Sequence, residues 1–465
     1  MIGITAHAVY IPRHRISRAM IASAFGMRAL TGERTAVNFD EDSLTLATHA
    51  VQWGLRYVSS CHGLFFASTT APYLEKLNAG LIAAACDLDD GITVADFGGS
   101  VRSGTIALSC ALDSVAASDL TNIVIAAADV RDAPPESVEE QIFGDAGAAI
   151  VVGRDRVIAK YIGRATVYDD FLDIVRRDKD ERVTSFASKF TFQRGYQEAV
   201  IKALSKLLKG VGLRPEEIDK LILPPVDRES HLKLAAQAGF QPNQIQRTFF
   251  EHIGITGSSM PFLLLSAALE EARPNDKLLL VGYGDGADAL LFEVTDHIDQ
   301  FQVDHPIEEQ VSWAIHFKSY ELFRKAREFF RHHEDNLEIS NILYGREERQ
   351  NIRLYGTQCE ECGTRQFPMT RVCIACRSTE SLKEVRLGRR GRVFTFTTDT
   401  LTPSPIPPTV MAVVDLDDGG RLYLQMTDIE PESIRIGMPV ELTLRRLNEG
   451  RGIHHYYWKC RPEER

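Results

Sequence analysis

No stretch of this chain stays apolar long enough to cross a bilayer, which takes about 20 predominantly apolar residues in a row. The N-terminus, Met1-Ile-Gly-Ile-Thr-Ala-His7, lacks the charged-then-apolar profile of a secretory leader and enters a strand pattern at once. A cytoplasmic protein with no membrane contact is therefore expected. Basic charge is in deficit: 53 Lys and Arg against 64 Asp and Glu give a formal net charge of −11. That argues against bulk nucleic-acid binding, which needs a basic face, but leaves room for a local basic pocket around a phosphorylated cofactor. Cysteine is thin over most of the length. Cys61, Cys86, Cys110 and Cys460 are scattered and read as small buried hydrophobes.

The absence that matters most is local. Ala95-Asp-Phe-Gly-Gly-Ser-Val-Arg-Ser-Gly-Thr-Ile-Ala-Leu108 reads as strand, glycine turn and helix. Gly98 and Gly99 permit a backbone that a Cβ would resist. The helix start offers unpaired N–H groups and a positive dipole end. Enzymes place a nucleophile at such an elbow. Here the elbow carries Ser100 and Val101, and no cysteine.

At 465 residues, 44% hydrophobic and 25% charged, the chain is expected to fold as more than one soluble globular domain. Residues 1–158 alternate apolar runs with helical segments. Gly63–Ser68, Ile92–Phe97 and Asn122–Ala128 read as strands, and Glu75–Ala85 and the elbow segment to about Ala117 as helices. Gly144-Asp-Ala-Gly-Ala-Ala-Ile-Val-Val152 ends this part, and Gly284-Asp-Gly-Ala-Asp-Ala-Leu-Leu-Phe292 repeats its pattern. Between them lie a helix at Tyr196–Val211, a strand at Lys220–Leu223, a helix from about Ser258 to Ala272 and a strand at Lys277–Val281. The spacing predicts an internal duplication into two βαβαβ-type α/β halves, 1–158 and 159–297. In 298–345, Trp313, Phe317, Tyr320, Phe323 and Ala326 recur at helical spacing, predicting a linker of one or two helices.

Cys359-Glu-Glu-Cys362 and Cys373-Ile-Ala-Cys376 form two CxxC knuckles within 346–385. Four thiolates at this spacing suit a closed tetrahedral zinc, with iron or a redox dithiol as the alternatives. A closed site has no open position and predicts no catalysis. Segment 386–465 reads as about five strands, with a hairpin at Asp417-Asp-Gly-Gly420, which fits a small all-β OB barrel. The run Tyr456-Tyr457-Trp458 is expected to pack core and edge.

The α/β part resembles the thiolase superfamily, nearest to 3-hydroxy-3-methylglutaryl-CoA synthases and ketoacyl synthase III. The matching pieces are Phe66-Ala-Ser-Thr-Thr-Ala-Pro-Tyr73, Ser100-Val-Arg-Ser-Gly-Thr105, Ala126-Ala-Ala-Asp-Val130, Gly144-Asp-Ala-Gly-Ala, Leu223-Pro-Pro and Gly254-Ile-Thr-Gly-Ser-Ser. Gly356-Thr-Gln-Cys-Glu-Glu-Cys-Gly, Phe367-Pro and Cys373-Ile-Ala-Cys resemble the zinc-ribbon and OB-fold domain that accompanies thiolases. The resemblance implies a duplicated thiolase-like fold, an acyl-CoA thioester as the substrate of the assembly, and oligomerisation.

Its departures bear on activity. In the register set by Gly104-Thr105, the family's cysteine falls on Val101, its glutamate on Thr69, its histidine on Pro225 and its asparagine on Ile255. A valine forms no thioester and a proline shuttles no proton. The expectation is a chain without its own catalytic residues. It would be an accessory subunit of a thiolase-type acyl-CoA complex, docking a catalytic thiolase chain through its ribbon and barrel and shaping CoA access. Homodimerisation through the thiolase-like fold is the other association implied.

The rival is a self-sufficient acyl-CoA aldolase or hydroxymethylglutaryl-CoA-synthase-like acyltransferase with relocated residues. Its candidates are Ser100, His252 and Tyr283, with Tyr73 and Asp285 bordering the family's cavity. Read plainly, Ser100 is a helix N-cap and His252 a structural or solvent-facing histidine. Arg386, Arg389, Arg390 and Arg392 form either a solvated face or a cluster that steers a CoA phosphate.

Overall fold

The computed structural model describes residues 1–186, 189–332, 340–450 and 452–463. They form two compact units. One holds Met1–Val37, Asp42–Ala83 and Leu88–Tyr320, and the other holds Asn38–Glu41, Ala84–Asp87 and Glu321–Arg465. Residues 187–188, 333–339 of the expected linker, 451 and 464–465 lie outside the description.

In the first unit both halves feed one nine-stranded sheet. Its order is Lys220–Ile222, Lys277–Tyr283, Gly286–Val294, Ala159–Tyr168, Gly3–Tyr10, Asp145–Gly153, Asn122–Val130, Gly63–Ala67 and Thr93–Phe97. The duplication shows as a repeated pattern of pairing. Asn122–Val130 turns back antiparallel into Asp145–Gly153, which pairs with Gly3–Tyr10. Lys277–Tyr283 turns back into Gly286–Val294, which pairs with Ala159–Tyr168. Within the sheet the halves meet where Gly3 pairs with Lys160 and Ile4 with Ala159.

The near-continuous apolar runs follow from burial on both faces of the sheet. Every residue of Gly3–Tyr10 and of Asp145–Gly153 is buried. Ser43–Gly54 is buried throughout although it carries Ser43, Thr45, Thr48, His49 and Gln52, and the largely apolar later helix is buried from Met260 to Leu269. One core draws Leu108 and Leu112 of the elbow helix together with Leu263, Leu264 and Leu290 of the second half. A second core gathers Val200, Leu204 and Leu207 over Leu221, Leu279 and Leu291.

The expected single helical stripe across 298–345 divides. Trp313 follows the short helix Ile307–Ser312, and Ile315–His316 is a strand that pairs parallel with His14–Arg15. The Ile315 amide donates to Arg13 O at 2.8 Å and the Phe317 amide to Arg15 O at 2.9 Å. These tertiary bonds hold Phe317 in extended chain despite its helical spacing. Only Tyr320, Phe323 and Ala326 share a helix, Tyr320–His332.

The second unit contains a three-stranded ribbon (Tyr355–Cys359, Arg365–Gln366, Leu382–Arg386) and a closed barrel. The barrel strands are Arg390–Asp399, Thr409–Leu416, Arg421–Met426, Ile453–Pro462 and Pro439–Gly450, in that order around it. Tyr456 and Trp458 are fully buried, and the Trp458 indole donates to Asn351 O and Ile352 O at 3.0 and 3.1 Å. A buried ionic cluster also lies in this unit. Arg445 meets Asp40 at 3.2 Å, Glu41 at 2.9 Å and Asp428 at 2.5 Å, and Lys459 meets Asp40 at 2.8 Å.

Candidate functional site

The Thr93–Phe97 strand ends in Gly98 and Gly99, and Gly99 takes a left-handed φ of 83°. The chain turns and the helix begins at Ser103, later than the sequence suggested. Ser100 is therefore not the N-cap: that position is Arg102, with no capping side chain. Among the described residues, the Ser100 hydroxyl accepts only from the Arg102 amide, at 3.4 Å, and has no base beside it.

The elbow is fastened from below by Arg102. Its Nε donates to Gly284 O at 2.8 Å, Nη2 to Asp285 O at 3.1 Å, and Nη1 pairs with the buried Asp288 at 3.1 Å. Thr105 Oγ1 donates to the other oxygen of Asp288 at 2.7 Å. Gly284 lets the two segments meet, since a Cβ there would lie 2.6 Å from Ser100 Oγ.

Above the elbow opens a cavity of 1230 Å³. The four positions on which the resemblance places the family's polar residues, Thr69, Val101, Pro225 and Ile255, all line it, each from a different segment. Ser100, Tyr73, Tyr283 and Asp285 line it too, and His252 is not among the lining residues. His252 is half-buried, with its amide donating to Phe249 O at 3.0 Å. Phe66, Phe97, Phe143, Phe171, Phe192 and Met260 make much of the wall apolar.

Asp129 holds two walls in register. One oxygen accepts from Ser68 Oγ, the Thr69 and Thr70 amides and Thr70 Oγ1, at 2.7–3.1 Å. The other accepts from the Ser258 amide at 2.7 Å. Arg131, at the end of the same strand, lines the cavity with its guanidinium 4.2 Å from the centre of the Phe143 ring. Burial pulls its pKa below the usual arginine value.

The wall opposite carries a titratable pair. The Tyr283 hydroxyl donates to Asp173 Oδ2 at 2.9 Å, and both residues line the cavity. Burial raises the Tyr283 pKa, and the neighbouring Asp173 charge raises it further. Burial likewise raises the Asp173 carboxyl, while the bond from Tyr283 opposes that shift. Tyr283 packs edge-on against Tyr196, with ring centres 4.9 Å apart, and the Tyr196 hydroxyl donates to Pro224 O at 2.8 Å.

Sequence reasoning missed Asp173, Asp129, Arg102 and Arg131 as parts of this site. Asp129 lay within a quoted motif, but nothing in the motif says which amides it would bind. Asp173 sits in the charged segment before the small hairpin of Ile174–Val175 and Thr184–Ser185, where no periodicity marks it.

In the second unit, Cys359, Cys362, Cys373 and Cys376 bring their sulfurs within 4.8 Å of one another. Cys359 and Cys376 are 3.5 Å apart, as are Cys362 and Cys373. A tetrahedron with Zn–S bonds of about 2.3 Å has edges of about 3.8 Å, so the four thiols fit that ion. Knuckle bonds pre-form the set: the Gly363 amide donates to Cys359 O at 2.9 Å and the Arg377 amide to Cys373 O at 3.1 Å. The four arginines at the barrel's start each meet a different partner. Arg386 lies near Asp87, Arg389 stacks over Trp458, Arg390 pairs with Glu463, and Arg392 donates to Gly437 O.

Comparison with known proteins places these features. Residues 208–292 match the family described as 3-oxoacyl-[acyl-carrier-protein (ACP)] synthase III C terminal. Residues 346–381 match the ChsH2 rubredoxin-like zinc ribbon domain and 384–445 the ChsH2 C-terminal OB-fold domain. The chain thus combines a thiolase-like fold with segments that match a ChsH2-type zinc ribbon and OB-fold. The chain is 28% identical over 323 residues to a hydroxymethylglutaryl-CoA synthase of Methanopyrus kandleri, covering 66% of this chain and 92% of that protein. It is also 28% identical over 341 residues to the Archaeoglobus fulgidus hydroxymethylglutaryl-CoA synthase, covering 70% and 98%.

Among solved structures, MvaS in complex with 3-hydroxy-3-methylglutaryl coenzyme A shares the fold with a TM-score of 0.61 at 17% identity, covering 73% of this chain and 94% of that one. The 3-oxoacyl-[acyl-carrier-protein] synthase III of Aquifex aeolicus matches with a TM-score of 0.56 at 18% identity, covering 63% and 100%. The chain is thus similar to hydroxymethylglutaryl-CoA synthases and shares the thiolase-like fold, with four cysteines clustered in its zinc-ribbon segment. Among the described residues no helix is long and apolar enough to cross a membrane.

Proposed function

We propose that this thiolase-like chain is the accessory subunit of an acyl-CoA complex that makes or cleaves a carbon–carbon bond next to a CoA thioester. The observation that carries this reading is the convergence of Thr69, Val101, Pro225 and Ile255 on one cavity. None of these side chains can form a thioester or move a proton at neutral pH. The cavity would bind the acyl-CoA without an acyl-enzyme. The ribbon and barrel, 346–385 and 386–465, would dock a catalytic thiolase chain and shape CoA access, and the two α/β halves, 1–158 and 159–297, would supply the oligomer contacts. A cytoplasmic setting belongs to the same reading.

The test is gentle purification from the native source, with mass spectrometry of what stays bound. A cysteine-bearing thiolase in fixed ratio supports the proposal. A homo-oligomer that turns over an acyl-CoA alone refutes it. That second outcome is the rival reading, an aldolase or acyltransferase with relocated residues. The Tyr283–Asp173 contact at 2.9 Å in the cavity wall is the observation in its favour.

A further inference from the structure

Two carboxylates border this cavity region, Asp129 fully buried and Asp173 half-buried, and their surroundings differ. Asp129 is saturated by five hydrogen bonds from backbone and hydroxyl donors, and its role is to hold the walls. Asp173 accepts one side-chain hydrogen bond, from Tyr283, and its Oδ1 has no protein partner among the described residues. Asp173 is half-buried in the cavity lining, and no protein donor among the described residues competes for that oxygen.

The surroundings hold this pair in place. The Phe186 amide donates to Asp173 O at 2.9 Å and closes the hairpin behind it. Residues Phe192–Gln197 form a π-helical turn, a feature that recurs at functional sites. Within it stands Gly195, where a Cβ would lie 2.7 Å from the Tyr283 hydroxyl and 2.9 Å from the Phe171 ring. The missing side chain leaves room for the hydroxyl.

We propose that Asp173 and Tyr283 form a proton-transfer pair that acts on the carbon next to the thioester carbonyl of an acyl-CoA held non-covalently in the cavity. The inference rests on the reading above that the cavity takes an acyl-CoA, and it belongs to the rival reading, in which this chain carries relocated residues of its own. Asp173 is the catalytic base and Tyr283 its positioning residue. The Cα–H bond breaks and its proton passes to Asp173 Oδ1. The electron pair moves into the Cα–carbonyl bond, and the thioester oxygen becomes an enolate oxyanion. Return of the proton from Asp173 to Cα restores the thioester. Nothing is oxidised or reduced, and the only other participant is water, which exchanges the proton held on Asp173. This is the carbanion half of carbon–carbon bond chemistry, and it needs no cysteine.

The charged and titratable groups facing Asp173 are Tyr283 and Asp285 from the turn region at 283–286, and Arg131 from the strand opposite. Arg176 and Arg177 follow on its own hairpin. The bond from Tyr283 favours the carboxylate, whereas burial and Asp285 oppose it.

The test incubates the full-length zinc-loaded chain with hexanoyl-CoA in D2O, reading α-deuteration by mass spectrometry and binding by calorimetry. We expect wild type to exchange the α-protons. Asp173→Asn should bind equally and exchange on the order of 100-fold more slowly or worse, the usual range for losing a general base. Tyr283→Phe should move the acid limb of the rate–pH profile to higher pH with KM unchanged. Binding without exchange, or equal exchange by Asp173→Asn, overturns the pair and leaves the acyl-CoA reading standing. Absence of binding overturns that reading and the inference together. Should Asp173→Asn fail to fold, an unmoved profile in Tyr283→Phe refutes the coupling.

Discussion

Replacing Asp129 by Asn changes one atom and no volume, so it isolates the electrostatic tie between two cavity walls. In the wild type, one oxygen serves four donors around Ser68, Thr69 and Thr70, and the other serves the Ser258 amide. The side chain is fully buried. Asn can keep its oxygen toward the larger donor group only by aiming its NH2 at the Ser258 N–H. One hydrogen bond to a charged acceptor is lost, at about 1.5–3 kcal/mol, and a buried amide is orphaned, at about 1–3 kcal/mol. The four remaining bonds lose their charge assistance. Allowing for non-additivity, the expected cost is about 3–5 kcal/mol. At roughly 2–4 °C per kcal/mol for a large domain, Tm falls by about 6 °C or more, measured by scanning calorimetry on the full chain. Asp173→Asn, the same chemical change at a carboxylate with one side-chain bond, should cost much less. A fall of under about 2 °C in Asp129→Asn, or equal losses in the two variants, would falsify this account of the cavity walls.

Replacing Cys362 by Ser should reduce bound zinc from one per chain to none and unfold the ribbon, read by metal analysis and hydrogen exchange; retained zinc contradicts the four-thiolate site. Placing a thiol at the elbow with Val101→Cys should yield a slowly acylated enzyme by mass spectrometry but no condensation, because Pro225 and Ile255 supply no acid or base; full turnover would show the base lies elsewhere. Glu41 is buried beside Arg445 and is pushed up to about 7 by desolvation, with Asp428 and Asp40 adding to the rise. The folded state therefore holds a proton that the unfolded chain releases near 4.5, and stability should fall as pH rises between about 4.5 and 7. In Glu41→Gln that dependence should flatten, in urea titrations at pH 5 and pH 8, and an unchanged slope would assign it to another group.

The sequence alone determined much of the architecture, because its signals are local. Continuous apolar runs mark strands buried on both faces, the repeated Gly-Asp segments mark the duplication, and two CxxC knuckles carry their own ligand geometry in ten intervening residues. The alternation in the tail likewise marked the strands of the closed barrel. The absence of a cysteine from the elbow is legible directly in Ser100-Val-Arg-Ser-Gly-Thr105.

Other features were decided only by tertiary structure, each through a contact between residues distant in the chain. Helical spacing placed Phe317 in a helix, and bonds to Arg13 and Arg15, about 300 residues earlier, made it extended. Ser100 read as a cap until Arg102 reached across to Gly284 and Asp288 and the helix began later. The Asp173–Tyr283 pair joins positions 110 residues apart, one of them in a segment with no periodicity. Local patterns record which face of an element is buried, but they do not record which polar groups meet once the elements pack. That pairing is set by backbone amides and carboxylates of every segment around the cavity, and it appears only when the chain is folded.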